Sequence, residues 1–484
     1  MEEQEKANYF KYPTMRSYIN YLSQFIKKDY TAMMTTFLVC LSAYTDDPLN
    51  LFLKGPSSTG KTYVAHNVAK VFPQEDVWIL AGISPKALIH LKGHWEDEEG
   101  NEIDVHHPPN KEDVEEYAEW RENVDNARYV INLQGKILIF LDTPQYEVYN
   151  VLRPLLSHDK FESEYKIVEK DKRGPYKTQT IVLRGWPATI FCTAEEKYVE
   201  ELATRSLTVT PSTANDKIKQ AIELAAKQAS DVHFEARSSK TLEELRFYLS
   251  YVADFSRSLS VVVPFAEEAV RIFPGVRPRE MRDVRHFMSM IKAATLFNFV
   301  RRPYIEIGDK KYLISTLDDL KLVLNVFQAA RETTEFGLSD KVLVFYHEVV
   351  EKLKQFDSSE AMFEWNRIHS LDKKSSKTIR LWLNELEAAD LVSSSQDPAD
   401  RRRTLYQCVS RNSSEIMERS GNRRISGLFQ PDSYENWLRK YRNQNSLSHI
   451  HRSPVDQTPV DKEKLYRIIT GRSYVKYGFG SYIF

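Results

Sequence analysis

From Gly55 to Thr62 the chain reads Gly-Pro-Ser-Ser-Thr-Gly-Lys-Thr. A glycine, four residues and then Gly-Lys-Thr is the spacing of a loop whose backbone N–H groups wrap nucleotide phosphates. In such a loop Gly55, Pro56, Ser57, Ser58, Thr59 and Gly60 form the cradle. Lys61 reaches the β- and γ-phosphates, and Thr62 ligates Mg²⁺. The expected cofactors are therefore ATP and Mg²⁺. The metal needs a second oxygen donor, and Ile137-Leu138-Ile139-Phe140-Leu141-Asp142 offers one: an apolar run that ends in a carboxylate.

The flanking patterns supply the elements that must hold these groups. Leu51-Phe52-Leu53 predicts a short buried strand before the loop. Val64, Val68 and Val71, with Ala65 and Ala69, predict a helix after it. The run ending at Asp142 predicts a central parallel strand buried on both faces, with Asp142 at the C-terminal edge where open α/β sheets bind ligands. A helix is expected over 146–157. Glu162–Val168 and Tyr176–Leu183 alternate, and Lys170, Lys172 and Arg173 lie in the turn between them, which predicts a β-hairpin with a basic tip. Ala188–Thr193 predicts another buried strand, ending in a hydroxyl. Arg205 precedes a short apolar run. Helices are expected over 214–229 and 241–259, and a third opens near Pro278, carrying Arg279 and Arg282.

This order of motifs resembles the AAA+ ATPases of the pre-sensor-1 hairpin clade, and within it the minichromosome-maintenance (MCM) type DNA helicases and their mobile-element relatives. The resemblance covers residues 30–300 and rests on motif order more than on long identical runs. It implies a P-loop core with a parallel sheet and a helical lid. It implies Walker A at Lys61 and Thr62, Walker B at Asp142, sensor 1 at Thr193 and an arginine finger at Arg205. Arg282, or else Arg279, stands where sensor 2 would contact the γ-phosphate. Lys170, Lys172 and Arg173 would grip DNA in a central pore. The finger acts in trans, so a ring-shaped homo-oligomer, a hexamer, is implied, with DNA as partner and ATP-dependent translocation or unwinding in replication as the activity. Two features depart from the pattern. Thr143 follows Asp142, where many motor ATPases carry a Glu that orients the attacking water. Gln145 or Glu147 in that role, slow turnover and lost hydrolysis all remain open. About 50 residues precede the loop, in place of the N-terminal DNA-binding region and zinc module of full-length MCM proteins, which points to a plasmid- or virus-encoded helicase.

The 484 residues exceed one ordinary core, so several domains are expected: 1–30 an N-terminal helical segment, 31–210 the ATPase core, 211–335 the lid, 336–410 a winged helix and 411–484 a partly flexible tail. A net charge of −1 confines any nucleic-acid surface to local patches. Cys40, Cys192 and Cys408 form no CxxC pair, which argues against a disulfide framework or zinc site. The N-terminus carries no signal-peptide pattern, Ala32–Leu41 is too short for a membrane span, and a cytoplasmic setting is expected. Residues 93–125 are an acidic insert, with only Lys111 and Arg121 as bases. A hairpin turning at Gly100-Asn101 and an exposed helix over 112–122 are expected there, most simply as a solvated decoration, otherwise as a partner surface or a guard against stray DNA. From residue 340, three helices and a basic hairpin resemble a winged-helix domain. The second helix would be capped by Ser358 or Ser359. Lys377 and Arg380 on the third helix, and Arg401, Arg402 and Arg403 at the wing, would meet DNA. Asn443–Asp461 reads as a flexible linker. An AAA+ initiator or loader that uses ATP as a slow switch, and a DNA-binding regulator with a vestigial ATPase, are the rival readings.

Overall fold

The computed structural model describes residues 12–81, 92–110, 112–142, 146–169, 177–193, 206–273, 280–336, 340–353, 355–370, 372–388, 391–397, 403–408, 429–442 and 450–472. The first helices are α1 (Met15–Leu22) and α2 (Tyr30–Ser42), and β1 (Asn50–Lys54) leads through the glycine loop into α3 (Lys61–Ala69). Next come β2 (Val77–Leu80), β3 (His94–Glu96), α4 (Val114–Asn126), β4 (Arg128–Asn132), β5 (Ile137–Phe140) and α5 (Tyr146–Leu156). The hairpin β6 (Glu162–Glu169) and β7 (Lys177–Arg184) precedes β8 (Ala188–Thr193) and β9 (Leu207–Val209).

The central sheet has five strands in the order β2-β5-β8-β1-β9, all parallel. The protein is thus α/β with a parallel central sheet. Side chains alternate across its two faces, as a period of two demands. Leu51, Leu53, Ile137, Ile139, Ile190 and Cys192 enter one core with α2 and the later helices. Phe52, Leu138, Phe140 and Phe191 enter another with α5, β4 and β7. Phe191 stacks between Phe52 and Phe140, with ring centroids at 4.8 and 4.9 Å, so the three middle strands are registered by side chains as well as by backbone bonds.

The acidic insert is only partly a decoration. Its strand β3 pairs antiparallel with β4, β4 pairs parallel with β7, and the second sheet runs β3-β4-β7-β6. The turn falls where expected, with Asp97 N–H bonded to Asn101 O at 3.0 Å. Glu96, at 3% exposure, accepts from both terminal nitrogens of Arg184 at 2.7 and 2.8 Å, and Arg184 Nε donates to Glu162 at 2.5 Å. This bidentate pair locks the insert to the base of the hairpin. By contrast, no residue of α4 is buried.

Beyond β9 run α6 (Asn215–Ser230), α7 (Phe234–Ser256), β10 (Leu259–Val262), α8 (Glu280–Phe297), β11 (Tyr304–Ile307), β12 (Lys310–Ile314) and α9 (Leu317–Phe336). The helices match the expectation, and the small sheet among them does not. Strands of four or five residues are too short for alternation to announce.

The C-terminal module has its own apolar cluster around Phe345, Trp365 and Trp382. It comprises α10 (Asp340–Phe345, continued by a π-turn over Tyr346–Val350), β13 (Gln355–Asp357), α11 (Ser358–Ile368), α12 (Ser376–Ala388), β14 (Val392–Gln396) and β15 (Thr404–Cys408). Its three strands pair antiparallel in the order β13-β15-β14. The cap of α11 is Asp357 rather than either serine: its carboxylate accepts from Ser359 N and Glu360 N, and Glu360 bonds back to Asp357 N–H.

The chain then returns to the main body. In α13 (Pro431–Arg442), Tyr434 and Trp437 are buried in the same core as β1. Strand β16 (Ile450–His451) pairs with Tyr304 and Ile305 of β11, and α14 (Lys462–Thr470) buries Leu465, Tyr466 and Ile469. The second half of the expected linker is therefore folded, because Ile450, Ser453 and Val460 are buried and a two-residue strand leaves no pattern to read.

Candidate functional site

Strand register brings the sequence motifs together. Thr193 pairs with Lys54, the residue before the glycine loop. Phe140 pairs with Phe191, and each chain runs two residues further, to Asp142 and Thr193. With β8 between β1 and β5, the loop entry, Thr193 and Asp142 share one sheet edge, at about 4.8 Å from strand to neighbouring strand. Thr193 is buried and Asp142 is exposed.

The loop itself is held in a conformation few residues accept. Gly55, Ser58 and Gly60 have φ of 147°, 67° and 91°. Positive φ suits glycine and is uncommon for serine, so Ser58 stores backbone strain in the middle of the loop. A Cβ on Gly55 would stand 3.3 Å from Thr59 Oγ1 and 3.5 Å from Thr210 Cγ2. Gly60 caps α3, which begins at Lys61. Lys61 Nζ donates to Gly55 O and Pro56 O, both at 2.7 Å, and Thr59 Oγ1 donates to Pro56 O at 3.0 Å. Partial burial holds the Lys61 ammonium below the usual lysine range, with the nearby Cys192 pulling the other way. The Thr62 hydroxyl touches the Cys192 thiol, which burial pushes up to about 11, so the thiol stays protonated at neutral pH.

Beside the loop lies a cleft of about 550 Å³. Phe25, Ile26, Tyr63, Ile218, Ile222 and Leu224 give it apolar walls, and Ser57, Ser58 and Thr59 form the edge nearest the loop. The lining would fit a nucleotide: an apolar slot of a size for a base lies beside the Ser57–Gly60 stretch of the loop, whose backbone N–H groups precede α3. Residues Phe25–Lys27 and the face of α6 were not anticipated from sequence. The available signal was Ile218 and Ile222, an i,i+4 apolar pair left 49% and 66% exposed.

Other expected residues lie elsewhere. Arg282 is not at the chain's own loop. It lines a second, polar cleft of about 200 Å³ with Asp47, Asn50, His158, Arg285 and His286. Asn50 opens β1 and the glycine loop follows its other end, about 13 Å away at the usual rise per residue. Thr143, Gln145, Lys170, Lys172, Arg173, Arg205, Arg279, Arg401 and Arg402 lie outside the described residues. Glu147 is exposed in the first turn of α5. In the C-terminal module Lys377 and Arg380 are exposed on α12, and Arg380 Nε reaches Ser358 Oγ at 3.4 Å. Arg403 is committed within the fold: it pairs with Asp357 at 2.5 Å and Glu360 at 3.2 Å, pinning β15 to the start of α11. Among the described residues no cluster of three or more His, Cys, Asp or Glu could hold a metal, and no helix is long and apolar enough to cross a membrane.

No protein-family model matches the chain, and no curated protein matches it. Solved structures give distant likenesses. One is an active helicase, Cch of SCCmec type IV, at 11% identity over 84% of this chain and 72% of that one, TM-score 0.28. Another is the Aeropyrum pernix ORC1 protein in complex with DNA, at 11% identity over 81% and 91%, TM-score 0.20. A third is the Aeropyrum pernix ORC2 protein in ADPNP–ADP complexes, at 12% identity over 86% and 93%, TM-score 0.21.

Proposed function

We propose that the protein is an AAA+ ATPase that binds ATP with Mg²⁺ and couples its hydrolysis to movement on DNA as a ring-shaped oligomer. The observation that carries the nucleotide reading is the shared sheet edge: the Gly55–Thr62 loop, Thr193 and Asp142 on three adjacent parallel strands, with an apolar cleft opening beside the loop. Thr62 and Asp142 would hold the metal, which supplies charge neutralisation at the transferring phosphoryl group. Lys61 would leave its two carbonyl partners for phosphate oxygens, a transfer that burial of its ammonium favours. Thr193 would orient the attacking water from between the loop and Asp142. On this reading Arg205 serves a neighbouring subunit's nucleotide. Arg282 does so as well, since its own loop lies at the far end of β1.

The DNA reading rests on the long hairpin β6–β7, inserted between β5 and β8, whose connecting segment carries Lys170, Lys172 and Arg173. It rests also on a winged-helix reading of the C-terminal module, which its helix and strand order supports, with Lys377 and Arg380 exposed on its third helix. A strand-displacement assay on forked DNA with wild type and Lys61→Ala tests it. The expected result is ATP-dependent unwinding by the wild type and none by the variant. DNA binding indifferent to both ATP and Lys61 overturns the motor reading. Thr143 after Asp142 favours a second one, an initiator or loader that uses ATP as a slow switch. Its signature is Lys61-dependent DNA binding without unwinding.

A further inference from the structure

Helix α6 faces the cleft but is weakly anchored by apolar packing: Leu224 is its single fully buried residue, and Ile218 and Ile222 remain largely exposed. Polar contacts fix it instead: Gln228 near its far end hydrogen-bonds the half-exposed Tyr63 of α3, and a more deeply buried contact lies at its start. Lys217, in its first turn, sends its ammonium off the helix to Asp29 Oδ2 at 2.5 Å and to Thr59 O of the glycine loop at 3.2 Å. Both partners are well covered, with side-chain exposures of 13% for Lys217 and 4% for Asp29. A lysine normally extends its ammonium into water, so a buried one held in a single place has given up much rotamer freedom. Asp29 also accepts from Ser212 N at 3.3 Å, in the segment that leads into α6. Three pieces of chain meet at one ion pair: the segment before α2, the phosphate loop and the lid helix.

We propose that Lys217 is a positioning residue for nucleotide binding. Held by Asp29, it fixes α6 relative to Thr59, so that the base cleft and the phosphate loop bind as one rigid unit. This rests on the nucleotide reading above and adds to it how the two halves of that site are joined. Two half-sites in fixed relation bind a linked ligand far better than either half separately, because ordering is complete before binding. Breaking the tie leaves each half intact and costs the connection between them.

The test uses the full chain and three ligands: adenosine for the cleft, tripolyphosphate for the loop, and Mg-ATP for both. Each is measured by displacement of a fluorescent ATP derivative. Lys217→Ala is expected to weaken ATP about tenfold and to change adenosine and tripolyphosphate less than twofold. Asp29→Asn, which keeps the size but removes the charge and one of the two oxygens that accept from Lys217 and Ser212, is expected to give the same pattern, and Lys217→Arg to restore most of the ATP affinity. Unchanged ATP affinity in both loss variants overturns the proposal. So does a loss confined to tripolyphosphate, which makes Lys217 a direct phosphate ligand, or an equal loss of all three ligands, which makes it a purely structural lysine. If wild type and Lys61→Ala bind ATP equally poorly, the nucleotide reading itself has failed. If Lys61 matters and Lys217 does not, only the tie has failed.

Discussion

The contact between Glu96 and Arg184 invites a quantitative test. Glu96 is 3% exposed, and both of its oxygens accept from Arg184, while Oε1 also bonds His94 Nε2 at 2.8 Å. Glu96→Gln preserves shape but removes the charge and turns an NH₂ toward the guanidinium. Breaking a buried pair leaves a stranded charge and costs about 3–5 kcal/mol. Arg184 keeps Glu162 and is 22% exposed, which places the expected loss at the low end, about 3 kcal/mol. Arg184 holds the Glu96 carboxyl below the usual glutamate range, aided by His94 and opposed by burial. A depressed carboxylate pKa gives stability that is fully present above the unfolded value, about 4.3, and is lost as pH falls through the folded value. The gap between wild type and variant in urea unfolding should therefore be present at about pH 8 and close below about pH 4. Arg184→Gln and the double variant complete the cycle and separate coupling from solvation. A gap under about 0.5 kcal/mol at neutral pH, or one that persists unchanged in acid, would refute the view that this pair fastens the insert to the hairpin.

Two further outcomes follow from local geometry. Gly185, between β7 and β8, has φ of 90°, and a Cβ there would meet Gln134 N at 2.7 Å and Gln134 Cα at 3.0 Å. Gly185→Ala should lower unfolding stability by about 2–4 kcal/mol, strain and overlap together, and a shift in the urea midpoint worth less than 1 kcal/mol would contradict it. If the C-terminal module binds DNA, Lys377→Ala should reduce the slope of log affinity against log salt by about 1. Arg403→Ala should leave that slope unchanged, because Arg403 is already spent on Asp357 and Glu360; equal slope changes would place Arg403 on phosphate after all.

Legibility in the sequence followed the range of the interactions involved. The loop, its strand and its helix were readable because spacing, apolar runs and helical period are local, and the place of Asp142 just past a strand buried on both faces was readable because an apolar run that stops at a carboxylate is local too. The alignment of Thr193 beside Lys54 needed the sheet order, which no local pattern states. Arg282 shows the limit from the other side: an arginine early in a lid helix looks the same whether it faces the loop end of β1 or the Asn50 end, and only packing decides. Arg403 shows it again, since a run of three arginines reads as a basic wing until Asp357 and Glu360, more than 40 positions earlier, are found against one of them. Asp29 and Lys217 are separated by 188 positions, carry no motif and would each be dismissed alone as surface charges. Burial gives that pair its meaning, because a charge kept from water must be answered by another charge, and the place where that happens is where the fold has something to hold in register. By that criterion the Lys217–Asp29 and Arg184–Glu96 pairs are joints of one kind. The first sets α6 against the Gly55–Thr62 loop, and the second sets an insert against the hairpin that leads to Thr193.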